Sequence, residues 1–244
     1  MASNSKIYST ILILIIWQAL AFVLKSDVFP SVVDICISLY GHITEGDLIK
    51  NLGVTLYRVF VAFTVTMLIG IVIGIFMGIN EKINNMFDFI LIIALNIPAL
   101  VTIVICYIWF GLTDLAAIVA VIINKLPIVV VNIREGTRNI NNKYLQLGQI
   151  YNLDNKTVFS KLFLPQIYPY ILASTRLTLS LVWKIVLVVE LLGRSDGVGF
   201  EISMFFQYFD ITSIMAYSIA FITVVLAIEI FILNKIENKI NRWK

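Results

Sequence analysis

The stretches that otherwise suit hydrocarbon hold the cations Arg58, Lys125, Arg176 and Lys184, and Glu190 is the clearest anion there. A charge at membrane depth costs ~2.5–3.5 kcal/mol on insertion scales, so each of them must face protein, water or a ligand. An excess of cations, with Glu190 as the clearest anion, fits a path for an anionic or acid-bearing solute. Lys184 and Glu190 are six residues apart, so they lie on different sides of a helix and do not pair along it. The competing account is internal pairing. Lys184 then meets a carboxylate or carbonyls of a neighbouring span, and Arg176, near the end of its span, braces the adjoining polar segment. Trp183 is either a cavity wall or plain packing. Pro98, which must kink or break an apolar helix, completes the set of pathway candidates Arg58, Pro98, Trp183, Lys184 and Glu190.

Other chemistries find little to work with. His42 is the single histidine, which cannot build a zinc cluster, and it reads as a solvated loop residue. Cys36 and Cys106 are far apart and read as packing residues. A membrane-embedded enzyme, such as a lipid-modifying transferase, needs clustered Asp, His or Cys at the membrane face, and no Asp-rich motif is present. The chain carries no GxxxxGK[ST] phosphate loop, so it does not hydrolyse ATP through that motif. A structural or assembly protein of similar span count is the remaining alternative.

The elements that hold these residues follow from composition. Of 244 residues, 60% are hydrophobic and only 14% charged, and mean hydropathy is +0.95. Soluble domains carry about 25% charge. The class is therefore an all-α polytopic membrane protein. Apolar stretches predict six spans, at roughly 7–24, 54–80, 87–112, 115–133, 166–192 and 211–233, in one transmembrane domain covering 1–244. The first could pass for a signal peptide, but its apolar core is too long and no small-x-small cleavage site precedes Lys25. A short interfacial helix is expected over Val32–Tyr40. Gly70, Gly74 and Gly78 recur every fourth residue on one face, for close packing within the chain or for a dimer seam. With the N-terminus inside, eleven basic residues fall on the cytoplasmic side against three outside (Lys25, Lys50 and Arg194), which places both termini in the cytoplasm. The net charge of +3 is too small to argue for nucleic acid.

The longest polar segment between apolar regions, Arg134 to Pro165, holds five of the 18 Lys and Arg. It predicts two short helices. One runs from about Lys143 to Tyr151, with Leu145, Leu147 and Ile150 apolar. The second starts at Asp154, whose carboxylate caps the free amides, and continues through Val158, Phe159 and Leu162. Such an amphipathic hairpin between spans is a docking surface. A helix-turn-helix nucleic-acid reader is a formal reading of Lys143–Lys161, but the segment sits between two spans.

The segment resembles the cytoplasmic loop of ATP-binding-cassette importer permeases, Glu-Ala-Ala, three residues, Gly, nine residues, Ile-x-Leu-Pro. Gln146, Leu147 and Gly148 stand at Glu-Ala-Ala, Asn152 at the glycine, Leu162 at the isoleucine, and Leu164-Pro165 match. Asn, like Gly, visits the left-handed turn conformation. Phe29-Pro30-Ser31, Thr55-Leu56-Tyr57-Arg58-Val59, Ile97-Pro98-Ala99, Trp109-Phe110-Gly111, Glu190-Leu191-Leu192-Gly193 and Gly197-Val198-Gly199 resemble the nitrate, sulfonate and taurine branch, in order. The resemblance implies a type I importer permease in the bacterial cytoplasmic (inner) membrane, with coupling helices on the cytoplasmic side. It implies coupling to an ATPase through Leu145, Gln146, Leu147, Gly148, Asn152, Leu153, Asp154, Val158, Leu164 and Pro165. It also implies two ATPase subunits, which hold the ATP and Mg, and an extracytoplasmic substrate-binding protein. No cofactor is expected in this chain. With no second homologous half visible, a second copy of the chain is the expected partner, as a homodimer in the lipid bilayer.

Overall fold

A computed structural model describes residues 2–24, 26 and 28–233. Lys25 and the basic tail, Lys235, Lys239, Arg242 and Lys244, lie outside the described residues. Within those residues every regular element is helical: α1 (Ala2–Leu24), α2 (Val32–Thr44), α3 (Leu48–Ile79), α4 (Glu81–Asn96), α5 (Ala99–Phe110), α6 (Asp114–Arg138), α7 (Asn142–Ile150), α8 (Asn155–Thr157), α9 (Leu164–Gly193), α10 (Val198–Gln207) and α11 (Ile211–Ile228). A π-helical segment, Val158–Phe163, joins α8 to α9, and another, Glu229–Leu233, extends α11.

Among the described residues four helices are long and apolar enough to cross a membrane: Leu48–Ile79, Asp114–Arg138, Asn155–Gly193 and Ile211–Phe231. The pair α4 and α5 adds a fifth if it is one span, and it is bent by 96°. The six spans expected from the sequence exceed this count. The apolar stretch of α1, Ile11–Leu24, falls short of the usual crossing length. The break at Pro98 is where the sequence places it. Pro98 has no amide to donate to the preceding turn, α4 ends at Asn96, and α5 restarts at Ala99.

The described residues form two compact units, 2–55 with 190–233, and Leu56–Val189. In the first, α2 and α10 both pack on α11. Ser31 and Asp34 form a capping box that starts α2, and Trp17 Nε1 donates to the Pro30 carbonyl at 3.0 Å, tying α1 to that start. The helix runs past the predicted end at Tyr40 to Thr44, so His42 is not a solvated loop residue. Its Nε2 lies 2.9 Å from Ser213 Oγ, and its ring packs against Phe205 and Tyr217. Cys36 is exposed rather than packed, while Cys106 is buried as expected.

In the second unit the glycine face of α3 meets α6. A Cβ on Gly70 would lie 2.5 Å from Val129 Cγ1, one on Gly74 would lie 2.7 Å from Ile133 Cβ, and Gly78 abuts Thr137 in the same way. This face is therefore an intramolecular seam and not a dimer contact. Arg58 and Asp114 join the same two helices at their other ends, with Nη2 to Oδ1 at 2.7 Å and Nε to Oδ1 at 2.8 Å. The Arg58 residue is only 1% exposed. Tyr107 Oη of α5 donates to the Val189 carbonyl of α9 at 2.8 Å.

Candidate functional site

The polar hairpin forms, with two departures from its sequence reading. Its first arm, α7, covers Asn142–Ile150 and is capped by Asn141, whose side chain accepts from the Lys143 amide at 3.0 Å. The chain then reverses through a helix-end turn closed by two backbone hydrogen bonds. The Leu153 amide donates to the Gly148 carbonyl at 2.9 Å and the Asn152 amide to the Gln149 carbonyl at 3.0 Å, the Schellman arrangement. It requires a left-handed residue, and Asn152 has φ 49°. Here asparagine does a glycine's work.

Asp154 starts the second arm as expected, accepting from the Thr157 amide at 3.2 Å. Hydrogen bonds from Thr157, side chain first and then backbone, hold its carboxyl below the usual Asp range. This arm is not a short separate helix. Asn155–Gly193 is one continuous rod, so the hairpin's second arm is the first part of a candidate span. Pro165 does not stop it. The preceding π turn, with the Leu164 amide reaching back to Phe159, widens the helix where proline removes a donor. The second departure lies at the other end. α6 continues through the predicted boundary at Ile133 to Arg138, so the irregular backbone shrinks to residues 139–141 and 151–154.

The two arms touch at Gly148, which is buried. A Cβ there would lie 2.9 Å from Leu162 Cδ1 and 3.1 Å from Val158 Cγ2. Gln166 ties the open end, its Oε1 accepting from the Asn141 amide at 2.9 Å. The small residue of the Gln146-Leu147-Gly148 triplet is thus the seam between the arms, while Gln146 is exposed and Leu145 half-buried. Leu164 is half-buried and Pro165 exposed at the base. Outside the seam, apolar groups face outward: Leu147, Ile150 (71% exposed), Tyr151, Leu153 and Phe159. Periodicity alone picks out Leu147 and Ile150 but passes over Tyr144 and Tyr151, whose rings add to the exposed area.

The intramembrane charges are used differently. Glu190 is 0% exposed. Its Oε2 accepts from Thr55 Oγ1 and from the Gly199 amide, both at 2.9 Å. Thr55 Oγ1 in turn accepts from the Val198 amide at 2.9 Å, and Asn51 Oδ1 from the Gly197 amide at 3.0 Å. Asn51 Nδ2 donates to Glu201 Oε1 at 2.9 Å. The carboxylate therefore lies over the first amides of α10, where helix-end partial charge favours an anion. Gly197 (φ 99°) makes the approach possible, since a Cβ there would lie 2.5 Å from the carboxylate carbon. Read from sequence as a pathway candidate, Glu190 is used here to hold the Gly197-Val198-Gly199 turn. Arg58 is likewise taken by Asp114. Trp183 is buried, whereas Lys184, Arg176 and Pro98 are exposed and Lys125 is half-buried. Sequence reasoning missed one polar cluster, that of Arg134 with Asp88 and Asn84. Its trace in the sequence is the four-residue spacing of Asn84 and Asp88, which puts both on one face of α4.

Comparison with known proteins agrees with this architecture. Residues 70–239 match the family model described as the binding-protein-dependent transport system inner membrane component. The chain is 27% identical over 234 residues to the putative aliphatic sulfonates transport permease protein SsuC of Bacillus subtilis (strain 168), covering 95% of this chain and 84% of the relative. It is 23% identical over 199 residues to the nitrate import permease protein NrtB of Synechococcus elongatus, covering 78% and 71%. The formylaminopyrimidine transport permease protein ThiX of Halalkalibacterium halodurans is 22% identical over 236 residues, covering 96% and 93%. In fold, an inward-facing structure of the MetNI methionine ABC transporter superposes with a TM-score of 0.68 at 18% identity, over 79% of this chain and 95% of that one. With its family model covering most of the chain, this integral membrane protein belongs to the binding-protein-dependent transport permeases, as a transport subunit of an ATP-binding-cassette importer.

Proposed function

We propose that this chain forms the membrane path of an ATP-driven importer for a small anionic or acid-bearing solute. It works as a homodimer with two ATPase subunits and an extracytoplasmic binding protein. The observation that carries the reading is the hairpin. Its backbone is closed by capping and by the Asn152 turn, and its apolar side chains point away from the chain. A rigid apolar projection of this kind is what a cleft on another protein receives. In this reading the hairpin lies in the cytoplasm and seats on the ATPase through Leu145, Gln146, Leu147, Gly148, Asn152, Leu153, Asp154 and Val158, while Leu164 and Pro165 carry its second arm into the span. ATP and Mg²⁺ bind in the partner subunits. Relatives named for sulfonates, nitrate and bicarbonate support the solute class.

Lys184 is the cation that best serves such a solute in the path, because its side chain is exposed on α9 while Arg58 is taken up by an ion pair. An exposed ammonium at membrane depth faces water, another subunit or a ligand. The test is the complex co-purified with its ATPase and binding protein and reconstituted in liposomes. Uptake of an alkanesulfonate, nitrate and bicarbonate is compared with that by the Lys184→Met variant. Uptake of at least one anion, lowered about ten-fold or more by Lys184→Met, is expected. Unchanged uptake and selectivity make Lys184 structural, and absence of an ATPase from the wild-type complex overturns the importer reading itself. Orientation is checked separately. An externally applied maleimide should react with Asp196→Cys and not with Gln149→Cys.

A further inference from the structure

The end of α6 is the last helical segment before the hairpin, and it is gripped by three helices of its own unit. Gly78 of α3 abuts Thr137, and Gly136 abuts Tyr170 of α9, each so closely that no Cβ fits between them. The third grip is polar. Arg134 pairs with Asp88 of α4, and its Nη1 also donates to Asn84 Oδ1 at 3.1 Å. Glu135 accepts from Arg134 Nε at 3.0 Å and fixes the guanidinium plane. The Arg134 side chain is only 12% exposed while that of Asp88 is 41% exposed, so this is a half-buried, charge-assisted contact.

What lies at the other end of α4 gives the contact its meaning. α4 has 16 residues, about 24 Å at 1.5 Å per residue. Its far end is the Pro98 break, where the path of the chain turns by 96°. The two glycine grips join α6 to long helices, α3 of 32 residues and α9 of 30. The Arg134 grip joins α6 to a half-helix ending at a joint that lacks the Pro98 amide, and so can turn.

We infer that Arg134 is a positioning residue that, through Asp88 and Asn84, hands movement of the hairpin to the bent pair, so that the Pro98 break is where ATP-driven motion is delivered. This rests on the importer reading above. Docking and release of the ATPases shift the hairpin and the end of α6 with it. The ion pair obliges α4 to follow, and α4 turns against α5 at Pro98. A static brace would hold the same atoms together without this directional consequence.

The experiment uses the full complex with both ATPases in liposomes. It carries Ala99→Cys as a reporter beside the break and Cys36→Ser to remove the exposed thiol. The maleimide labelling rate at position 99 is read with and without vanadate-trapped ATP. With Arg134 and Asp88 intact, trapping is expected to change the rate by about five-fold or more. With Asp88→Asn, or with Arg134→Ala, the change should fall below about two-fold while trapping itself persists. Exchange of the charges, Arg134→Asp with Asp88→Arg, should restore it. A nucleotide response that is full in the single variants, absent from the intact pair, or not restored by the exchange overturns the inference. Asp88→Asn alters a side chain that is 41% exposed and decides the matter even if Arg134→Ala fails to assemble. Failure of the intact complex to trap nucleotide at all is distinguishable, because that strikes the importer reading instead.

Discussion

Around Glu190 the carboxylate Oε2 and its polar neighbours are bound to one another, whereas on the hairpin several apolar side chains stay exposed among the described residues. Thr55, Asn51 and the amides of Gly197, Val198 and Gly199 form a connected set of hydrogen bonds around a carboxylate that is fully buried. Such a network stabilises only when complete, because a buried carboxylate missing one donor costs more than the bond is worth. The hairpin has the reverse arrangement. Its backbone is satisfied internally, while Ile150, Tyr151 and Phe159 remain exposed. A charge within a candidate span is thus no guide to function by itself. Here Glu190 and Arg58 are held by partners within their own units, and leucines, isoleucines and tyrosines of the hairpin are the groups that stay exposed among the described residues.

The contrast breaks most readily at Gly197. Gly197→Ala must relieve both a positive φ and a Cβ 2.5 Å from a carboxylate that its own hydrogen bonds hold in place. A loss of about 3 kcal/mol or more is expected, seen as collapse of the thermal transition of the detergent-purified protein. A transition within about 1 °C of wild type would show that the node is not closed.

Next comes the opposite kind of change. Ile150→Asp combined with Tyr151→Asp alters exposed side chains, so protein stability should move by less than about 0.5 kcal/mol. Uptake per ATP hydrolysed by the reconstituted complex should nevertheless fall about ten-fold or more. If both quantities hold steady, the exposed apolar face is not the coupling surface.

The smallest effect is expected at Asp154. Its carboxyl titrates below the usual range because the folded state hydrogen-bonds the anion. A depressed folded-state value stabilises fully above the ordinary Asp value of about 3.9 and is lost as pH falls through the lower folded value. The cap is therefore complete at neutral pH and opens only in acid. At pH 7, Asp154→Ala should speed amide exchange at Thr157 roughly five-fold, with uptake barely altered. Exchange that is unchanged at neutral pH, or that already rises between about pH 7 and 6 in the wild type, would contradict the capping role.

What the sequence determined by itself is local. The break at Pro98, the cap at Asp154, the left-handed turn at Asn152 and the close-packing face of Gly70, Gly74 and Gly78 follow from what one residue or one helical turn permits, and each appears where the residues put it. Apolar content likewise committed the chain to membrane helices. Only the tertiary structure decided which groups meet. Arg58 finds Asp114 across 56 residues, Thr55 finds Glu190 across 135, and Asn51 finds Gly197 across 146. His42 goes from a supposed loop to a packed helix face, α6 runs through a run of polar residues to Arg138, and the hairpin's second arm continues through Pro165 to Gly193. The physical reason is common to all of these. Backbone preference and apolar periodicity act within a few residues, but the desolvation of a charge and the close approach of two helices depend on a partner whose position only the packed chain supplies.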